Sequence, residues 1–204
     1  MTIILIRHGE TPLNVARTLQ PADTPLSTTG LAQAQAVAAR MAGLQLAGIV
    51  SSDLPRALRT AEAIAAATGV SLSTTALLHE RNFGDLRGQP YDALGFNPLT
   101  LSEAPPGGES AEGFVQRVAQ AFAHVVALRN SLGGPLAVVT HGLVIRALLA
   151  RHVQLPPGSE LPLRVGNTSV SVIAAEPPHA VEVLDSTSHL DDHNRHDVQS
   201  LSGG

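Results

Sequence analysis

Apolar and polar positions alternate along the chain between short strand-like runs and longer helix-like ones. Residues 2–6, TIILI, are a β-branched apolar run that stops at Arg7 and His8, which predicts a buried strand. The Ala-rich stretch GLAQAQAVAARMAG follows a possible cap at Ser27 or Thr28 and closes on Gly43, predicting a helix. AGIVSS reads as a second strand. LPRALRTAEAIAAATG reads as a helix with Pro55 in its first turn and Gly69 as its stop. Phe114, Val118, Ala121, Phe122 and Val125 recur at helical spacing in a long helix opened by Glu109 or Ser110. GGPLAVVTHG then repeats the opening pattern of apolar run, histidine and glycine, with the helix LVIRALLARHV behind it. VSVIAAE and AVEVLD predict a closing pair of strands around the turn PPH.

Strands that alternate with helices predict an α/β fold, a three-layer α/β/α sandwich with a mostly parallel central sheet. One domain over residues 1–190 is expected from the length of 204. Gly and Pro recur between 77 and 110, where the pattern predicts an irregular, lid-like excursion with a short helix at YDALG. Residues 191–204 read as a polar tail, and His193 and His196 fall within it.

Composition narrows the chemistry. The absence of cysteine removes disulfides, thiolate metal sites and a cysteine nucleophile. All thirteen basic residues are arginines, so a Walker-type loop and Schiff-base chemistry are excluded as well. A net charge of −4 without a basic run argues against nucleic acid as a partner. No apolar run is long enough to span a bilayer, and Arg7 and His8 interrupt the first one. The expected compartment is the cytoplasm, with no membrane partner, and a homo-oligomer is left open.

Two strands end alike, in IRHG and VTHG. If both are central in a parallel sheet, His8 and His141 meet at one crevice, with Gly9 and Gly142 allowing a ligand close to the backbone. The helix after Gly142 would offer N–H groups to an anion. Arg7, beside His8, calls for an anionic partner, and a phosphate suits its planar fork.

RHGETPLN (Arg7–Asn14), SSDLPRALRTAEAIA (Ser51–Ala65), LLHERNFGDLRG (Leu77–Gly88), PGGES, VTHG, GNTS and STSHL stand in the order of the histidine phosphatase superfamily. The resemblance to these phosphoglycerate mutase-like proteins runs from Ile3 to about Leu190. It implies their fold and a phosphoryl-transfer site without metal or cofactor. His8 would be the nucleophile, and Arg7, Arg56, Asn14 and His141 would surround the phosphoryl oxygens. Glu80 would act as acid, then base. Glu10 is expected to orient an arginine or cap the following turn.

Leu13 stands where the family usually has tryptophan, and Pro21 replaces a glycine and removes an N–H donor. Similar mutases carry a longer, more basic insertion after the acidic loop; residues 89–135 here hold only Arg117 and Arg129. The expected activity is therefore hydrolysis of a small phosphorylated metabolite, as in the broad-specificity and α-ribazole phosphatases that the chain resembles. Mutase-type transfer and a non-catalytic phospholigand sensor are the alternatives. Arg17, Arg81 and Arg87 are candidates for reaching the non-phosphate part of the substrate, and the loop LGFNPLTL for covering it.

Overall fold

Eleven regular elements follow one another in the computed structural model, which describes residues 2–191. They are β1 (Thr2–Arg7), α1 (Pro12–Val15), α2 (Thr28–Ala42), β2 (Gly48–Ser51), α3 (Pro55–Thr68), β3 (Leu72–Thr74), α4 (Ala111–Asn130), β4 (Leu136–Thr140), α5 (Gly142–Arg151), β5 (Val170–Ala174) and β6 (Val181–Ser186). The tail expected over 191–204 lies almost wholly outside the described residues, His193 and His196 included.

Six strands form one sheet in the order β3-β2-β4-β1-β5-β6. The first four are parallel, whereas β5 runs antiparallel to both β1 and β6. Alternation along β1 sends Ile3 and Leu5 to one face, where they pack with Val118, Phe122 and Val125 of α4 and Ile145 and Leu148 of α5. Ile4 and Ile6 point the other way, against Val37 and Met41 of α2 and Ala57, Ala61 and Ile64 of α3. Both faces are thus covered, and the chain folds as the expected three-layer sandwich. Because β1 and β4 are neighbours with Arg7 opposite Thr140, the two histidines leave the sheet side by side.

Helix ends follow local chemistry. Ser27 caps α2 by accepting from the Gly30 N–H, and Ser110 caps α4 by accepting from Gly113. Gly69 ends α3 in the left-handed conformation (φ 69°). The short helix expected at YDALG is a 3₁₀ turn at Tyr91–Ala93, and three more such turns, Ala76–Leu78, Gly84–Leu86 and Pro98–Thr100, lie along the excursion and its entry.

Gly9 shows how tightly the strand exit is packed. A Cβ there would sit 2.5 Å from the Gly30 carbonyl oxygen, and one on Gly30 would meet the Glu10 carbonyl at 2.0 Å. Since the obstacle is backbone, α2 would have to move. Gly9→Ala is expected to cost about 1–3 kcal/mol, measured by denaturant unfolding; an unchanged midpoint would refute the packing argument.

Candidate active site

His8 begins where β1 ends, and its backbone is held firmly. Its N–H donates to Thr140 O (3.0 Å), while its carbonyl accepts from Asn167 Nδ2 (3.0 Å) and the Thr168 N–H (3.2 Å). The ring is fully buried, and Nδ1 lies 2.7 Å from Gly9 O. A carbonyl can only accept, so Nδ1 carries the proton and Nε2 keeps its lone pair. Nε2 is buried and has no hydrogen-bond partner.

His141 lies with its ring centroid 5.1 Å from that of His8. Its Nε2 is 2.9 Å from Ser52 Oγ, which already accepts from the Leu54 N–H. The serine proton can then go to Nε2, which places the ring proton on Nδ1, another buried atom without a partner. In that arrangement one histidine presents a lone pair and the other a donor.

Burial, followed by the charges of Arg7 and Arg56, pulls the pKa of His8 well below its usual value. Burial does the same for His141, with Arg56 the next cause. Both rings are neutral near pH 7. As pH falls below about 6.5 the unfolded chain takes up these protons before the folded one does. Stability held above that pH is therefore lost on acidification, by up to about 1.4 kcal/mol per pH unit for each histidine. Denaturant midpoints between pH 7.5 and 5.5 check this: the fall should be shallower in His141→Asn than in wild type, and equal slopes would refute it.

The arginines stand on both sides. Arg7 is fully buried and donates from Nη1 to Val165 O. Arg56, on the first turn of α3, donates from Nη1 to Pro21 O (3.3 Å) and Ala22 O (3.4 Å), while Nε is unpartnered. Burial lowers its pKa to about 10 despite the attraction of Glu80, so it stays charged at neutral pH. The Pro21 loop, although one N–H poorer, thus orients Arg56 through its carbonyls. Asn14 Oδ1 accepts from the Thr11 N–H (3.0 Å) and Asn167 Nδ2 (3.4 Å), which leaves its own Nδ2 as a buried, unpartnered donor.

Glu80 is 5% exposed, with Oε1 accepting from the Arg81 N–H (2.9 Å) and Oε2 from the Leu143 N–H (3.1 Å). Burial raises its pKa against those two hydrogen bonds and the nearby charges of Arg56 and Arg7. A carboxyl that holds its proton into a higher pH range can act as an acid. One of the free N–H groups at the start of α5, expected to meet an anionic ligand, is thus engaged by Glu80: it is that of Leu143, next to Gly142, the buried first residue of the helix.

Arg81 is turned away from this group: its guanidinium donates to Leu101 O (2.7 Å) and Glu109 O (3.4 Å) and lies over the Phe83 ring, so it shapes the excursion. Glu10 accepts from Ser27 Oγ (2.7 Å) and ties β1 to α2, with neither of its expected roles. Arg17 sits at the rim, beside Asp92. Arg117 is a residue that helical spacing did not single out. It pairs with Glu109 through two contacts (2.9 and 2.8 Å) and donates to the carbonyls of Leu77, His79 and Glu80, fixing the loop that carries Glu80. Among the described residues, no three His, Asp or Glu side chains gather as a cation site. A 440 Å³ apolar groove beside α2 and α3, lined by Leu26, Leu31 and Leu58, contains none of the residues of this site.

The sequence profile of the histidine phosphatase superfamily (branch 1) matches residues 3–184. The chain belongs to that superfamily. It is 33% identical to a probable phosphoglycerate mutase GpmB of Salmonella choleraesuis, over 94% of this chain and 95% of the relative. A mycobacterial glucosyl-3-phosphoglycerate phosphatase superposes with a TM-score of 0.75 at 30% identity, over 91% of this chain and 99% of that one. A phosphoglycerate mutase from Bacillus anthracis gives 0.79 at 26% identity, over 93% and 94%. Members of both kinds are enzymes of phosphoryl transfer, and so is this chain.

Proposed function

We propose that the chain is a metal-independent phosphomonoester hydrolase that works through a phosphohistidine at His8 on a small phosphorylated metabolite. The observation that carries this reading is the fixed tautomer of His8, whose Nε2 lone pair is buried, unpartnered and adjacent to His141. Nε2 attacks phosphorus in line as the bond to the ester oxygen breaks, and Glu80 gives that oxygen its proton. Water then attacks the phosphohistidine, Glu80 takes back a proton, and the N–P bond breaks to release phosphate. Arg7, Arg56, Asn14 Nδ2 and His141 Nδ1 would hold the equatorial oxygens through both steps.

Mutase-type transfer is the second reading, favoured by the relatives that bear that name. It requires cations for a second phosphate. The two arginines in residues 89–135 are already committed, Arg117 to Glu109 and loop carbonyls, and Arg129, fully buried, to Leu132 O. That supports hydrolysis. Hydrolysis of p-nitrophenyl phosphate with EDTA present, followed by a panel of small phosphomonoesters, tests the reading. Turnover that survives chelation is expected; turnover that requires added metal, or none on any monoester, would overturn it.

A further inference from the structure

A cleft of about 320 Å³ lies beside the phosphoryl site, lined by Arg17, Tyr91, Asp92, Phe96, Pro98 and Leu99. Two features join it to the chemistry. The Arg17 N–H donates to Asn14 O (3.1 Å), so Arg17 closes the turn that starts at that asparagine. Tyr91 belongs with Leu19 and Phe83 to the apolar cluster against which Leu143, the residue whose N–H holds Glu80, is packed, and Arg17 O accepts from the Tyr91 N–H (2.9 Å).

The lining divides by chemistry. Tyr91, Phe96, Pro98 and Leu99 present an apolar wall, with Phe96 47% exposed. Arg17 supplies the cation. Its backbone is held at φ 51°, a conformation uncommon outside glycine, and its Nε is buried without a partner. Its Nη2 is 3.5 Å from Asp92 Oδ1, a long contact to a side chain 80% exposed. Such a pair is weak and easily exchanged. The buried Tyr91 hydroxyl also lacks a partner. Arg7 and Arg56 suffice for one phosphoryl group, which leaves Arg17 a cation facing a cavity large enough for a small organic body.

We propose that the leaving group of the substrate occupies this cleft, and that it combines an apolar face with a carboxylate that displaces Asp92 from Arg17. The proposal rests on the hydrolase reading above and specifies its substrate class. The Asp92 carboxylate shows which anion Arg17 can take, since it already approaches the guanidinium from the cleft side. A leaving group with no apolar face would leave the wall of Tyr91, Phe96 and Leu99 uncovered. Arg17 is then the residue that separates acidic leaving groups from neutral ones of the same shape.

The test compares 3-carboxyphenyl phosphate with 3-carbamoylphenyl phosphate, which match in shape and differ in charge. Wild type should favour the carboxylate by roughly tenfold in kcat/KM, the scale of one charge-assisted contact. R17Q should erase that preference through KM, and R17K should restore part of it. D92N, at an exposed position, should lower KM for the carboxylate ester alone by removing its competitor. A preference that R17Q leaves intact, or no preference in wild type, would overturn the proposal. If neither ester is turned over, the hydrolase reading fails separately. Calorimetric affinities of the same two esters for wild type and R17Q then decide the cleft: a carboxylate preference lost in R17Q supports it, and equal affinities overturn it.

Discussion

His8→Ala is expected to abolish turnover of every phosphomonoester, by at least about 10⁴-fold in kcat, a loss typical of a missing nucleophile. The ring is buried and its carbonyl is held by Asn167 and Thr168, so the main chain has reason to stay in place when the side chain is removed. Phosphate or vanadate should accordingly still bind, because Arg7 and Arg56 remain. Loss of activity together with retained oxyanion affinity separates a chemical role from a structural one. If the variant kept more than a few per cent of wild-type kcat, attack by His8 would be ruled out, and direct attack by water would take its place.

Glu80→Gln should have the second largest effect, and its size should depend on the leaving group. Glutamine has no proton to give, so alkyl phosphates, whose alkoxide needs one, should slow by about 10²–10⁴-fold. p-Nitrophenolate leaves without help. With that ester the first half-reaction should survive while the second, which needs a base, becomes slow. The predicted outcome is a burst of p-nitrophenolate near one equivalent of enzyme, then a slow steady state. The pH dependence has a definite sign. Because burial raises the Glu80 pKa, wild-type kcat/KM for alkyl phosphates should fall as pH rises through that raised value, and Glu80→Gln should lack this limb. Equal losses on both ester types, with no burst, would assign Glu80 a structural role only.

Much of the site was legible because its residues sit at ends of regular elements. The apolar runs of β1 and β4 place Arg7, His8 and His141 at strand tips, and Pro55 marks the helix start that carries Arg56. What the pattern missed lies in short elements and distant partnerships. α1 has four residues, too few for a helical period, and is set by reciprocal hydrogen bonds between Thr11 and Asn14. β3 has three residues, two of them exposed, so it shows no apolar alternation. Ser52 meets His141 across 89 positions, and Asn167 meets the His8 carbonyl across 159. No local periodicity reports such pairs. Arg81 adjoins Glu80 in sequence, but the chain turns its guanidinium toward Leu101 O, which adjacency alone does not report.

The central claim is a covalent bond between phosphorus and Nε2 of His8. The most direct test is to mix enzyme with p-nitrophenyl phosphate, quench in alkali, which preserves phosphohistidine, and map the modified peptide by mass spectrometry. Glu80→Gln, which should accumulate the intermediate, is the form of choice. Phosphoryl is expected on the peptide containing His8 and on none in His8→Ala. A burst of product with no phosphoryl on His8, or with phosphoryl on another residue, would contradict it.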